Sequence, residues 1–98
     1  MIHEALRLLR VFHDYKSGEL AAKLGISQSY LSEVENQKKK PTLDLLERYG
    51  EVFNIKVSTL MFFSEELDNE KDTSKVYIRN SMLKFLKTIE KHGDLIGK

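Results

Sequence analysis

The chain has 98 residues, 41% of them apolar, with no cysteine and no tryptophan. That suffices for one small domain with an appended element, and it excludes a disulfide framework and a thiolate metal site. Sixteen basic against fifteen acidic residues leave a formal net charge of only +1, so any nucleic-acid partner has to be met by a local concentration of charge. The first predicted helix runs from about Ile2 to His13, with Leu6, Leu9 and Phe12 at helical spacing and Leu8 and Val11 widening the stripe. Arg7 and Arg10 interrupt it, so no N-terminal apolar run has the length of a signal peptide or a membrane span. The expected location is the cytoplasm, without membrane contact.

Residues 17–36, SGELAAKLGISQSYLSEVEN, predict two short helices joined by a tight turn. Leu20 and Leu24 are i,i+4 neighbours and form the inner face of the first, with Ala21 small enough for close approach. Gly25 follows the last periodic leucine, where a left-handed residue is needed and glycine adopts it at no steric cost. Ile26 returns to the core, and Ser27 is a good N-cap for the next helix, near 28–36. Leu31 and Val34 carry that helix onto the first, with Glu35 also on the inward side. Gln28 projects from its N-terminal tip, Tyr30 lies on its flank, and Ser29, Ser32, Glu33 and Asn36 face outward. The outward face is small, polar and rich in hydrogen-bonding groups, whereas a merely solvated helix more often carries long charged residues. It looks built to read base edges in a major groove.

A basic loop, NQKKKP, follows and ends at Pro41, which disfavours helix at Lys40. Thr42 is suited to cap a fourth helix through about Val52, with Leu43, Leu46 and Tyr49 on one face and Leu45 alongside. Gly50 costs that helix some stability and permits close packing. Ser58 is the expected cap of a short fifth helix, and Leu60, Met61, Phe62 and Phe63 close the core. Residues 64–75, SEELDNEKDTSK, contain no aromatic and one large aliphatic residue and read as an acidic polar linker. A basic amphipathic helix is predicted from about Ser74 to Lys91, with Ile78, Met82, Phe85 and Ile89 spaced four, three, four and Leu83 and Leu86 beside them.

The segment from about Leu6 to Phe63 resembles the phage-repressor/Cro type of helix-turn-helix domain, the XRE family. The resemblance is carried by Arg10 at the end of LRLLR, the LAAKLGIS core, the SEVEN stretch, Pro41 after the basic loop, and VSTLMFF. It implies an all-α fold: a five-helix lambda-repressor-like DNA-binding domain over residues 1–63, then the linker 64–75 and a C-terminal helical element, 76–98. It also implies that Gln28 occupies a base-reading position and that Arg10 and Glu35 form a partly buried ion pair joining the first helix to the recognition helix. The family commonly has a glutamine, holding a phosphate, where this chain has Ser17; serine donates with a shorter reach, and Lys16 is placed to compensate.

The site residues follow from these readings. Gln28, Ser29, Ser32 and Glu33 are the candidate base readers, with Gln28 suited to an adenine edge and Glu33 to a cytosine amino group. The other reading of Glu33 is that it orients Gln37 or a nearby lysine. Lys16, Ser17, Tyr30, Asn36, Lys38, Lys39 and Lys40 are the candidate phosphate contacts; for Tyr30 the other reading is packing against the preceding helix. Few phosphate contacts per subunit make a dimer on double-stranded DNA the natural expectation. The stripe Ile78, Met82, Phe85, Leu86 and Ile89 is a candidate dimer or partner surface, the other reading being that it folds back onto its own domain. Two functional classes result: a homodimeric sequence-specific repressor, or an antitoxin-like interaction module whose C-terminal helix binds a protein such as a toxin or an antirepressor. His3, His13 and His92 are scattered, and no phosphate loop, nucleophile elbow or metal-ligand spacing occurs, so neither catalysis, a cofactor nor a metal is expected.

Overall fold

The computed structural model describes residues 2–69 and folds them into α1 (Ile2–Phe12), α2 (Ser17–Leu24), α3 (Gln28–Glu35), α4 (Leu43–Phe53) and α5 (Val57–Asn69). No strand occurs among the described residues, and the all-α helix-turn-helix architecture expected from the sequence is the one observed. α1 packs on α3 and α5, α2 packs on α3 and α4, and α4 closes onto α5. Each helix lends one stripe to a single core: Ala5, Leu6 and Leu9 from α1, Leu20, Ala21 and Leu24 from α2, Leu31 and Val34 from α3. Tyr49, Leu60 and Phe63, all at most 2% exposed, fill the centre from α4 and α5.

The turns are set by local chemistry. Gly25 takes the left-handed conformation at φ 73°, so the Ile26 N–H reaches back to the Ala21 carbonyl at 3.0 Å and α2 stops there. Ser27 and Thr42 cap the next two helices, Ser27 Oγ accepting the Tyr30 N–H and Thr42 Oγ1 the Leu45 N–H, both at 3.1 Å. Asn54 adopts φ 56° after α4, and the Ile55 N–H donates to the Gly50 carbonyl at 2.9 Å. This turn folds directly over Gly50. A Cβ there would stand 2.7 Å from the Ile55 carbonyl oxygen, so the glycine is required by the approach of backbone.

Five expectations are revised. Met61 and Phe62, expected to close the core, are exposed because α5 packs through Leu60, Phe63 and Ser64, and Val11 and Phe12 of the expected α1 stripe are exposed, outside the buried Ala5, Leu6 and Leu9. Leu43 is 64% exposed: α4 turns Leu45, Leu46, Tyr49 and Phe53 inward, and Leu43, as the first helical residue after Thr42, lies outside that stripe. Ser58 is not a cap, because α5 begins at Val57 and Ser58 lies within its first turn. α5 also runs on to Asn69, so residues 64–69 of the expected linker are helical. Leu60, Phe63, Ser64 and Leu67 continue one stripe; Ser64 is buried and Leu67 packs on the core, whatever the acidity of the outer face. The rest of that linker, and the C-terminal helix with Ile78, Met82, Phe85, Leu86 and Ile89, lie outside the described residues.

Alanine is a better helix former than glycine, yet Gly50→Ala is expected to lose about 1–3 kcal/mol by overpacking against the Ile55 carbonyl. A thermal melt reports this directly, and a Tm at or above the wild-type value contradicts the close approach.

Candidate nucleic-acid interface

α3 has two unlike sides. Leu31 and Val34 seat it on the core, and Gln28, Ser29 and Ser32 stand exposed on the opposite side with Glu33 half-exposed among them. The spacing i, i+1, i+4, i+5 gathers these four side chains into one stripe.

The inward side is held by charge as well as by packing. Arg10 Nε donates to Glu35 Oε2 at 2.8 Å and Nη2 to Oε1 at 2.9 Å, a bidentate pair linking α1 to the last residue of α3. Nη1 of the same guanidinium donates to the Tyr15 carbonyl at 3.0 Å and so also fixes the turn leaving α1. The side chains are 18% and 7% exposed, so little water competes for either partner. The hydrogen bonds to Glu35 raise the Arg10 pKa against the opposing effect of burial, and the guanidinium stays charged. Tyr49 senses both members: burial, and then the Glu35 carboxylate, push its hydroxyl well above the ordinary range. Its Oη is buried with no hydrogen-bond partner among the described residues.

At the N-terminal end of the stripe, Gln28 Nε2 donates to Ser17 Oγ at 3.0 Å, which brings a candidate reader and a candidate phosphate contact into one pair. Lys16 occupies the N-cap of α2 and is exposed; its backbone N–H donates to Glu19 Oε1 at 2.9 Å. At the other end, Asn36 Nδ2 donates to the Ser32 carbonyl at 2.8 Å and to Ser32 Oγ at 3.2 Å, folding the asparagine back over the last turn. Lys38 and Lys39 wrap under α3, their backbone N–H groups donating to the Glu33 carbonyl at 2.8 and 3.2 Å. Lys39 Nζ lies 3.6 Å from Glu33 Oε1 and 5.9 Å from the centre of the Tyr30 ring, so one ammonium meets a carboxylate and an aromatic face. Tyr30 itself is half-buried and packs against the core. Lys38 and Lys40 are exposed on the same loop, with Pro41 closing it.

Two positioning contacts lack any local sequence signal. Arg48, tied to Asp44 at 3.0 Å, donates from Nη1 to the Leu24 carbonyl at 3.0 Å and thereby holds α4 against the end of α2. His13 lies on the Phe53 ring with centroids 4.8 Å apart, and its Nδ1 is 2.8 Å from the Leu9 carbonyl. Among the described residues no cluster of His, Asp and Glu could hold a metal ion, and no helix is long and apolar enough to cross a membrane.

Two short helices at a glycine turn, with the second polar outside and anchored inside, define a helix-turn-helix unit. The helix-turn-helix family model matches residues 6–60, from α1 into α5, and the chain belongs to that family in its XRE type. The HTH-type transcriptional regulator SinR of Bacillus licheniformis is 34% identical over 76 residues, covering 76% of this chain and 62% of that protein. SinR of Bacillus subtilis (strain 168) is 36% identical over 62 residues, 62% of this chain and 56% of the relative. The chain thus spans about three fifths of the length of the curated relatives it matches. No solved structure matches it at a significant level.

Removing one partner of a bidentate, largely buried pair leaves the other charge uncompensated, and Glu35→Ala is expected to cost about 3 kcal/mol. An unchanged Tm by calorimetry contradicts the structural role given to the pair.

Proposed function

We propose that this chain is a sequence-specific DNA-binding transcriptional regulator, a homodimeric repressor that reads an inverted-repeat operator by seating α3 in the major groove. The observation that carries this reading is the outward stripe of Gln28, Ser29, Ser32 and Glu33 on a helix whose other side is locked to α1. Such groups match base edges, and the lock fixes their register. Lys16, Ser17, Tyr30, Asn36, Lys38, Lys39 and Lys40 border the stripe and supply the phosphate contacts. Relatives named as transcriptional regulators support the regulatory role.

One subunit offers few cations, so affinity at physiological salt calls for two copies on half-sites one helical turn, roughly 34 Å, apart. Residues 76–98, through the stripe Ile78, Met82, Phe85, Leu86 and Ile89, hold the two copies together in this reading. Repression follows from occupying a promoter. The protein acts in the cytoplasm, on double-stranded DNA, and needs no cofactor or catalytic group.

Selection of the full chain against random duplex DNA at near-physiological salt is expected to enrich an inverted repeat. Gln28→Ala should relax one base pair per half-site; enrichment of nothing, or of a repeat indifferent to Gln28, contradicts the assignment of α3 as the reader. Deleting residues 76–98 is expected to abolish the dimer in sedimentation and to reduce operator affinity together with it. A truncated protein that stays dimeric and binds as before refutes the dimer role and points to a protein partner for that segment.

A further inference from the structure

We propose that the cleft beside the basic loop is an effector site for a small molecule with an apolar body and one carboxylate, and that filling it loosens the hold on DNA. The second half rests on the proposed function, in which Lys39 and Lys40 contact phosphate. The cleft encloses about 380 Å³ between α1, the loop after α3, α4 and α5. Pockets that hold small molecules span roughly 300–1,000 Å³. Ile2, Pro41, Leu46 and Met61 give it an apolar wall. Leu46 is buried, whereas Met61 is 41% exposed, and an unbranched thioether reshapes itself around a guest at little cost. His3 also lines the cleft, and its Nδ1 is buried without a hydrogen-bond partner among the described residues, a polar group that the fold leaves unused.

Charge decides the class of guest. Lys39 and Lys40 line the same cleft and are exposed, and no acidic side chain is among the described residues that line it. An apolar guest bearing a carboxylate satisfies both parts of this lining, the hydrocarbon wall and the ammonium groups. A carboxylate accepting from an ammonium makes a bond roughly twice as strong as one between neutral groups. The chain's own residues 73–98 are a poor match, since they carry six basic against two acidic residues and would set cation against cation. The coupling to DNA follows from shared cations. Lys39 Nζ lies 3.6 Å from Glu33 Oε1 and 5.9 Å from the centre of the Tyr30 ring, exposed attractions that hold it lightly. An ammonium drawn to a carboxylate in the cleft is withdrawn from phosphate, and by linkage DNA on the lysines weakens the guest by the same factor.

The probe is sodium octanoate, titrated into the full chain below its micellar concentration and followed by calorimetry and amide NMR shifts. Saturable single-site binding is expected, with octanol and octylammonium weaker by about tenfold or more, the loss of a charge-assisted hydrogen bond. Lys40→Gln should weaken octanoate to a similar extent, and Met61→Trp, which fills the cleft, should abolish its binding. Phe62→Ala removes an exposed ring outside the lining and should leave the titration unchanged. Thermal melts accompany each variant, so that loss of fold is not read as loss of the site. Saturating octanoate should weaken binding to the selected operator by about fivefold or more. It should also lower the slope of affinity against salt by about one for each lysine withdrawn. Absence of saturable binding overturns the proposal, as does equal binding of octanol or octylammonium. Binding that survives in folded Met61→Trp, or that is lost in Phe62→Ala, places the guest elsewhere and also overturns it. Octanoate that binds without changing operator affinity overturns the coupling. If the chain enriches no DNA sequence, the proposed function and the coupling fail, while the octanoate titration still decides the site.

Discussion

The bidentate bond between Arg10 and Glu35 is the constraint on which the rest of the site depends. α3 is eight residues long, and a helix of that length is not stable in water by itself. Two apolar residues, Leu31 and Val34, press it onto the core, but apolar contact is non-directional and permits sliding and rolling. The planar guanidinium adds direction: two parallel hydrogen bonds fix the rotation of α3 about its axis, and the third bond, to Tyr15, ties that rotation to the turn after α1. The pair's net energy is modest, since burial costs both ions hydration, and what it supplies is orientation.

Around that anchor, backbone approach and side-chain charge divide the remaining work. Gly25 and Gly50 let chain segments come close where a methyl group would intrude, at one turn by left-handed geometry and at the other by proximity to a carbonyl. Arg48 fastens α4 to the end of α2, so the first helix of the motif is held from both sides. On the outward side of α3 the charges are less rigidly committed. Lys39 is shared between Glu33 and Tyr30, both weak and solvent-exposed attractions, and a phosphate can draw it away at little cost.

The fold was legible in the sequence wherever a residue had one physical task. The leucine spacing, the glycine after Leu24 and the hydroxyls of Ser27 and Thr42 gave the motif helices and their ends, because each signal acts within one turn of chain. Composition misled at residues 64–69: a run of acids suggested a linker, yet helical periodicity continued beneath it through Ser64 and Leu67. Helical spacing sets Leu43 on one face with Leu46 and Tyr49, but the stripe that α4 buries runs through Leu45, Leu46, Tyr49 and Phe53 and leaves Leu43 outside. In the site, the facing of the α3 stripe was readable by angle, and the Arg10–Glu35 pair came from resemblance, since nothing local links residues 25 positions apart. The contacts of Gln28 with Ser17 and of Arg48 with the Leu24 carbonyl were not readable, because each joins a polar side chain to a group on another helix and depends on how the two helices cross.

The division of α3 into a buried side and an outward stripe bears on how such a protein can change over evolutionary time. Ser29 and Ser32 contribute no side chain to the core, and the Ser32 hydroxyl meets only the exposed Asn36 amide at the end of the same helix. Mutations there meet almost no folding penalty, since substitutions on exposed positions away from caps and buried networks typically change stability by under about 0.5 kcal/mol. If the outward stripe reads DNA as proposed, the binding preference of a lineage can drift through these positions while the scaffold stays constant. Gln28 is less free, being tethered to a second helix, so a descendant that rewrites this end of the stripe must alter two elements together. One short helix thus carries adaptable positions beside a conservative one.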